Sequence, residues 1–387
     1  MKNGWQRKML DEVCQIKPPK REARDRVSAD ELVSFLPMED MGIDEKFVRA
    51  TQAKPLSAVE GSYTYFADGD VLLAKITPCF ENGKLGIAQR LTNGIGFGSS
   101  EYIVFRPDKA LGKEWLYYYL SREDFRVEGT ALMSGAVGHR RVAKEFIESY
   151  LIPIPPAHEQ QRIVGILDKA FEGIATAKAN TEKNLQNARA LFESHLQSVF
   201  KKCGEGWVDK TLDQISTNLD SKRVPITKSD RKSGEYPYYG ASGIVDNVVG
   251  YIFDGDNLLV SEDGANLLAR ATPIAFSVSG KYWVNNHAHI QVKFEKMATQ
   301  RFVEFYLASI KLDEYITGAA QPKLNQKALN SIPIPIPISV EVQAKIVESI
   351  EFLAAETQNL ESIYQKKLDA LEALKKSLLH KAFAGEL

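Results

Sequence analysis

Residues 151–164, LIPIPPAHEQQRIV, decide the fold, because a similar stretch recurs at residues 331–347, SIPIPIPISVEVQAKIV. In each stretch an Ile-Pro run leads into a Gln and then into Ile-Val. Proline favours extended backbone in the residue before it and blocks a helix on its N-terminal side. Each stretch therefore predicts an extended segment that ends where a helix begins.

The similarity continues outward from this motif. Downstream, residues 160–200 match residues 343–383 without insertion or deletion. Upstream, Gly4-Trp5 recurs as Gly206-Trp207, but the spacing to the Ile-Pro run differs between the copies. Self-similarity of this kind is the signature of a repeat. The sequence predicts two copies of one unit, each a globular segment followed by a helix.

Residues 157–203 and 340–384 are predicted to be long helices, since apolar or small residues recur in both at alternating steps of three and four. This spacing is typical of a coiled-coil seam. Two ordinary core helices are the alternative interpretation, but the matched register favours helices that pack against each other. At about 1.5 Å per residue, about 40 residues form a rod of roughly 60 Å, a length suited to a spacer.

The two globular segments mix short strand-like runs with turns, which predicts a compact α+β domain in each copy. The strand-like runs are residues 71–74, 102–105, 258–260 and 289–292. Short aromatic helices are expected over residues 114–121 and 301–309.

The amino-acid composition indicates a globular protein. The chain has 387 residues with a formal net charge of −1, and 44% of its residues are hydrophobic, as in ordinary globular proteins. No apolar run approaches the roughly 20 residues that span a bilayer, so no membrane association is expected. The cysteines Cys14, Cys79 and Cys203 are far apart and odd in number. We interpret them as buried thiols in a cytoplasmic protein.

No constellation of catalytic residues is recognisable. The run of glycines between Gly94 and Gly98 lacks the spacing of a dinucleotide-binding loop, and there is no Walker lysine motif. His287 and His289 would share one face of a strand, but without a third ligand they are interpreted as hydrogen-bonded residues and not as a metal site. The sequence indicates a non-catalytic recognition protein.

Basic residues cluster at matching places in the two copies. Residues 17–26 are interpreted as one loop with five cations and two acids, and residues 222–232 hold five cations and one acid. A third basic point contains Arg140, which aligns with Lys323. Such clusters are the footprint of phosphate contacts, although a solvated surface is the alternative interpretation.

Together these features resemble the specificity subunits of type I DNA restriction–modification systems. The resemblance covers nearly the whole chain and rests on the order of domains and helices and on several motifs. The motifs are IPIPP (152–156) with EQQRIV (159–164), IPIP (334–337), YPYYGASG (236–243), EDGA (262–265) and AFAGEL (382–387). The second proline-rich motif departs from the usual pattern, because Ile338 stands where the first has Pro156 and one extra residue precedes Gln343.

The resemblance implies an α+β fold in which two globular α/β target recognition domains are joined by two long helices. These helices would form an antiparallel coiled coil within a pseudo-twofold internal repeat. The implied domains are residues 1–151 (recognition domain 1), 152–204 (spacer helix 1), 205–333 (recognition domain 2) and 334–387 (spacer helix 2).

The implied function is recognition of double-stranded DNA at an asymmetric bipartite site, one half per domain. Two methyltransferase subunits would dock on the helices and use S-adenosylmethionine to methylate adenine, and restriction subunits would join in systems that cleave DNA. The chain itself is expected to bind no cofactor and no metal and to be non-catalytic.

DNA contacts are predicted from the basic clusters and from the residues that follow the predicted strands, because Lys and Arg bind phosphate or guanine and Asn binds adenine. In the first domain the candidates are Lys17, Lys20, Arg21, Arg24, Lys75, Thr77, Asn82, Lys84, Arg140 and Arg141. In the second domain they are Lys222, Arg223, Lys228, Ser261, Asn266, Arg270 and Lys323.

Three other functions stay open at this point. A structural coiled-coil adaptor would not require basic residues at matching places in the two copies. A nuclease or methyltransferase that acts alone would require a metal or cofactor motif. An inactive or phase-variable specificity subunit would have the same sequence features as an active one.

Overall fold

The computed structural model of the chain describes residues 4–136, 138–201, 204–294, 297–318 and 321–387. The chain divides into two compact units. Unit 1 comprises Met1–Thr181 with Lys366–Leu387, and unit 2 comprises Glu182–Gln365. Cys203 and the last two residues of the first predicted long helix lie outside the described residues.

Unit 1 mixes short strands with short helices, several of which have a single turn. In chain order they are β1 (Gln6–Met9), α1 (Leu10–Val13), β2 (Cys14–Ile16), α2 (Arg21–Arg24), β3 (Leu32–Leu36), β4 (Gln52–Pro55), α3 (Leu56–Val59), β5 (Thr64–Ala67), β6 (Val71–Ala74), β7 (Leu85–Ile87), β8 (Ile95–Gly98), β9 (Tyr102–Pro107), α4 (Lys113–Leu120), α5 (Glu123–Ala131), α6 (Lys144–Ser149) and β10 (Leu151–Ile154). The long helix α7 (Ala157–Lys201) follows.

Two four-stranded sheets and one strand pair organise unit 1. The sheets have the orders β2-β9-β6-β7 and β4-β3-β8-β5, and β1 pairs with β10. All neighbours are antiparallel except β3 and β8, which run parallel. The strand β10 carries the first Ile-Pro run, so this motif closes the globular segment just before α7 begins.

Unit 2 contains the second set of elements. In chain order they are β11 (Trp207–Thr211), α8 (Leu212–Ile215), β12 (Thr217–Asn218), β13 (Ser233–Gly240), β14 (Gly243–Val248), β15 (Phe253–Asp254), β16 (Asn257–Ser261), α9 (Asn266–Ala269), β17 (Ala275–Val278), β18 (Lys281–Val284), β19 (Ala288–Val292), α10 (Met297–Ser309), α11 (Gln326–Asn330), β20 (Pro333–Pro337) and the long helix α12 (Val340–Ala384).

The topology of unit 1 recurs in unit 2. The sheets have the orders β12-β19-β16-β17 and β14-β13-β18-β15, β11 pairs with β20, and the parallel pair is β13 and β18. The predicted duplication and the predicted α+β class are both confirmed. Each predicted strand also lies within an observed strand, namely β6, β9, β16 and β19.

The core of unit 1 forms where the aromatic helix α4 meets the inner strands. The strand β6 lies between β9 and β7, and its residues are buried along its whole length. Trp115 of α4 is fully buried, and its indole N–H donates to the carbonyl of Pro153 at 2.9 Å. Its ring also packs edge-on against Phe383 of α12, with ring centroids 4.6 Å apart.

The two long helices contact each other in both units, and their contacts in unit 1 run antiparallel. In unit 1, Arg162 of α7 donates to the carbonyl of Leu387, whereas Phe171, farther along α7, lies beside Lys375 of α12. In unit 2, Arg189 of α7 binds Glu361 of α12 at 2.7 Å. The observed bounds confirm the predicted helices, and the described residues include no helix that is long and apolar enough to cross a membrane.

Phe383→Ala is expected to lower the free energy of unfolding of unit 1 by about 3–5 kcal/mol, because it leaves a cavity against Trp115 and Tyr119. Phe352→Ala on the same helix is the matched control, since Phe352 is 69% exposed. It should change stability by less than about 0.5 kcal/mol. Urea unfolding of the full chain, followed by hydrogen exchange in β6 and α4, measures both. Equal effects would contradict this account of the core.

Candidate nucleic-acid interface

In unit 1 the structure brings four of the predicted DNA-binding residues together. Lys17, Lys20, Lys75 and Arg141 line one groove of about 640 Å³, together with Lys144. We call this feature the basic groove. It combines several cations with the edges of aromatic side chains, which is a surface suited to a phosphate-bearing partner.

The basic groove begins where β2 ends. Lys17 has a positive φ of 57°, and its amide donates to the carbonyl of Val104. The Lys20 ammonium donates to the carbonyls of Glu60 and Gly61, both at 2.8 Å. Partial burial lowers the pKa of Lys20, and the positive charges of Lys17 and Arg24 lower it further. Positive charge is therefore concentrated at this end of the groove.

The stretch predicted as one basic loop is not a simple loop. Residues Arg21–Arg24 form the single-turn helix α2, which buries Ala23 against its neighbours. The helix separates the cations: Arg21 is exposed, whereas Arg24 binds the carboxylate of Glu60 at 2.6 Å. The prediction of a ten-residue loop was wrong because the alanine supplies an apolar anchor for a helical turn.

Arg141 is held by Glu101 at the other end of the groove. Its Nε donates to one carboxylate oxygen of Glu101 at 2.9 Å and its Nη2 to the other at 2.8 Å. Its Nη1 donates to the carbonyl of His139 at 3.1 Å. The hydrogen bond from Arg141 is the main cause that lowers the pKa of Glu101, partial burial opposes it, and Lys75 adds to the lowering. Arg141 nevertheless remains 46% exposed.

The other candidates in unit 1 do not share this groove. Arg140 donates to the carbonyl of Thr130 at 2.8 Å, Lys84 donates to the carbonyl of Met38 at 2.6 Å, and Thr77 donates to Glu81 at 2.9 Å. Asn82 is exposed and lines a separate cavity beside the last turns of α12. Three of these side chains thus bind the protein itself.

In unit 2, charged side chains meet around Glu262, which is largely buried. Arg223 donates from Nη1 to one oxygen of Glu262 at 2.6 Å and also to the carbonyl of Ala288 at 2.8 Å. The Lys323 ammonium binds the other oxygen of Glu262 at 3.1 Å. Arg223 is only 13% exposed, whereas Lys323 is 50% exposed. Arg223 therefore binds groups inside unit 2, whereas Lys323 is in contact with solvent.

The same network reaches the buried His289. One ring nitrogen of His289 contacts Asp220 and the other contacts the carbonyl of Leu324 at 2.7 Å. Each ring nitrogen of His289 therefore has an oxygen within hydrogen-bond distance. Burial would raise the pKa of Asp220, but hydrogen bonding and charge from His289 outweigh it and lower the pKa. Burial would likewise raise the pKa of Glu262, and hydrogen bonds from its cations lower it.

Asp220, Glu262 and His289 offer atoms that lie within 4.8 Å of one another, as in a metal-binding group. Arg223 and Lys323 already bind both oxygens of Glu262, and His289 uses both ring nitrogens. The arrangement is therefore built as an internal ion network, with positive charge supplied by side chains. His287, the other histidine of the sequence motif, contacts Asp263.

The remaining candidates of unit 2 fall into two groups. Ser261 is buried and donates to the carbonyl of Ala241, and Asn266 exchanges two hydrogen bonds with the backbone of Thr272. Arg270 donates to the carbonyls of Leu307 and Ile310. By contrast, Lys222 and Lys228 are exposed.

Backbone hydrogen bonds establish which residues correspond between the units. The amide after Arg141 donates to the carbonyl of Lys75, and the amide after Lys323 donates to the carbonyl of Glu262. Arg141 also exchanges two backbone bonds with Ser134, as Lys323 does with Thr317. The counterpart of Lys323 is therefore Arg141. The alignment with Arg140 was wrong by one residue, because sequence spacing does not record this pairing.

Arg141 and Lys323 thus occupy one backbone position in the two units, and each is exposed and bound to a carboxylate. We call them the anchored cations. Sequence reasoning missed the carboxylates that bind them, Glu101 and Glu262. Glu262 lies in the EDGA motif, which was a signal, whereas Glu101 precedes β9 without a distinguishing pattern.

Comparisons with known protein sequences all match type I restriction specificity proteins. The sequence profile described as type I restriction modification DNA specificity domain matches residues 2–187 and 204–370. The chain is 38% identical over 168 residues to the type I restriction enzyme EcoEI specificity subunit of Escherichia coli, covering 43% of this chain and 27% of that protein. It is 39% identical over 148 residues to a putative specificity subunit of Haemophilus influenzae, covering 38% of this chain and 37% of that one.

Two solved structures share the fold. A chain from a study of complex assembly and conformational transition of the type I R-M system superimposes with a TM-score of 0.81 at 17% identity, covering 100% of this chain and 99% of that one. The HsdS subunit from Thermoanaerobacter tengcongensis gives a TM-score of 0.64 at 17% identity, covering 100% and 98%. The matched segment spans about a quarter of the Escherichia coli relative.

Arg223→Ala is expected to destabilise unit 2 by about 3–5 kcal/mol, because it leaves the largely buried carboxylate of Glu262 without its main cation. Lys228→Ala, at an exposed cation nearby, is the matched control and should cost less than about 0.5 kcal/mol. Urea unfolding of the full chain, with hydrogen exchange in β16 and β19 as the local readout, measures both.

The stability lost in Arg223→Ala should depend on pH. A carboxylate whose pKa is lowered in the folded state contributes stability that is complete above its unfolded pKa. That contribution disappears as pH falls through the folded value. The difference between the variant and the unmodified chain should therefore shrink below about pH 4.5, the ordinary pKa of Glu262. A difference that stays constant down to pH 3 would contradict the role of ionised Glu262.

Proposed function

The chain belongs to the family of type I restriction modification DNA specificity domains, and from that premise we propose that it selects the DNA sequence on which a type I restriction–modification complex acts. Each unit reads one half of a bipartite site in double-stranded DNA. The observation that carries the proposal is the duplicated fold with an anchored cation at the same backbone position of each unit.

The two halves of the site should differ in sequence. The units share strand order, but Arg141 stands in one where Lys323 stands in the other, and the neighbouring charges differ as well. Arginine presents a planar fork of donors, whereas lysine presents a compact ammonium, so the two units have different contact geometries even where both bind the same type of base. An asymmetric site follows from this difference.

Affinity in unit 1 is assigned to the basic groove, where Lys17, Lys20 and Lys75 are placed to bind phosphates. Exposed Arg21 is a further phosphate contact beside it. In unit 2 the exposed Lys222 and Lys228 take this role. Phosphate contacts set register and position, and contacts with base edges set sequence preference.

The long helices are proposed to dock two methyltransferase subunits and, in systems that cleave DNA, restriction subunits. Exposed apolar residues on the helices support this role, among them Leu191 and Phe352, which are 65% and 69% exposed. Apolar side chains on a helix surface are suited to a protein partner. The methyltransferase subunits would bring S-adenosylmethionine and the methyl-transfer chemistry, and this chain would supply recognition without catalysis. We place the complex in the cytoplasm because its proposed partner is duplex DNA.

The test is adenine methylation in cells that express the full chain together with the type I methyltransferase subunit of the same genome. Single-molecule sequencing should reveal a two-part motif with a fixed gap and unlike halves, absent when the chain is omitted. A complex that copurifies with the methyltransferase but produces no new methylated motif would overturn the proposal.

Lys17→Ala should weaken binding of the full complex to all DNA sequences by a similar factor and reduce the slope of log affinity against log salt by about one, because one phosphate contact is lost. Lys109→Ala is the matched control, since Lys109 is an exposed lysine of unit 1 outside the basic groove. Fluorescence anisotropy over a salt series measures both slopes. If Lys109→Ala reduced the slope and Lys17→Ala did not, the assignment of the phosphate contact to the basic groove would be wrong.

A further inference from the structure

Arg141 is an exposed cation of the basic groove whose backbone and side chain are both fixed. Its amide and carbonyl bind Ser134, and Ile76 pairs with it in a short bridge. Its guanidinium is bound by two oxygens of Glu101. The backbone of Glu101 is fixed in turn, since its carbonyl accepts from the amide of Lys75 at 2.9 Å. The Lys75 ammonium also lies 3.9 Å from one carboxylate oxygen of Glu101.

The hydrogen bonds of Arg141 leave two of its N–H donors available. A guanidinium has five N–H donors. Glu101 accepts from Nε and Nη2, and the carbonyl of His139 accepts from Nη1. One N–H therefore remains on Nη1 and one on Nη2. Two adjacent donors of this kind match the O6 and N7 acceptors of guanine in the major groove.

Lys323 has the same relation to Glu262 in unit 2. Its backbone is fixed by two bonds to Thr317, and its ammonium binds Glu262. An ammonium has three donors, so donors remain after the bond to Glu262. Glu262 is itself fixed by Arg223. The carboxylate comes from a different strand end in each unit, yet the cation stands at the same backbone position.

We propose that Glu101 and Glu262 are positioning residues, and that the cations they hold, Arg141 and Lys323, are specificity determinants that each contact a guanine in one half of the DNA site. The inference rests on the proposed function and adds to it which side chains read bases. The bond to the carboxylate fixes the direction of the remaining donors, so the wrong base leaves those donors without acceptors.

The bidentate contact with Glu101 distinguishes Arg141 from the lysines of the basic groove. Lys17 is held through its backbone amide, and the compact ammonium on the long stem of a lysine suits a phosphate. Lys144 binds Glu148 at 3.1 Å, and this lysine is 75% exposed. Arg141, by contrast, has its side chain bound through a bidentate contact, which adds geometric specificity to charge.

The test compares methylation motifs of the full complex carrying Arg141→Ala, Arg141→Lys or Glu101→Gln. All three should relax one G·C position in one half-site and leave the other half unchanged. The rate of methylation of a site with that pair, relative to one without it, should fall by about tenfold to a hundredfold. Lys323→Ala should relax a position in the opposite half-site.

Glu148→Gln is the matched control, because Glu148 also lines the basic groove and binds a cation. It should leave the motif intact. Combining Glu101→Gln with Arg141→Ala should relax the position no further than Arg141→Ala alone, since a positioning residue acts through the side chain that it holds. Arg141→Lys keeps the charge and the stem, so it guards against a variant that fails to fold.

The outcomes separate the inference from the proposed function. If the unmodified complex yields no motif, both fall. If it yields a motif that is unchanged in Arg141→Ala and Glu101→Gln, the inference falls and the proposed function stands. Equal weakening of every position in both half-sites would show that Glu101 supports the fold in general, and it would also overturn the positioning role.

Discussion

Burial of the two ends of each long helix in different hydrophobic cores is the constraint on which the rest of the structure depends. Ile163 of α7 lies in the core of unit 1, and Phe200 of the same helix lies in the core of unit 2. On α12, Ile350 belongs to the core of unit 2 and Phe383 to that of unit 1. Each globular segment therefore completes its core with residues from both helices. Insertions are tolerated in the globular loops, whereas a single residue inserted between the ends of a helix would rotate one buried face by about 100°.

The helices and the central strands could be predicted from sequence because their signals are local. The three-and-four spacing of α7 and α12 and the apolar run of β6 are visible within a few residues. The parallel pairing of β3 with β8 could not be predicted, since it joins residues about 60 positions apart.

Part of the candidate site could also be predicted, because some of its residues lie close together in the sequence. A cluster of five cations in residues 17–26 is visible in the sequence, and two of them, Lys17 and Lys20, line the basic groove. The pairing of Arg141 with Glu101 spans 40 positions, and that of His289 with Asp220 spans 69. The sequence therefore shows which cations are present and where they lie along the chain. It does not show which distant carboxylate each cation binds. The same limitation made Arg223 look like a surface contact, although its guanidinium lies inside the ion network.

The bond between Glu101 and Arg141 also has an entropic consequence. A free arginine side chain loses up to about 2 kcal/mol of rotamer freedom when it is immobilised. In Arg141 much of this rotamer freedom is lost when the chain folds, before any partner binds. The burial of apolar side chains in the core of unit 1 offsets that cost. When a partner binds at this position, the Arg141 side chain therefore loses less conformational entropy. The carboxylate thus transfers part of the ordering cost from recognition to folding.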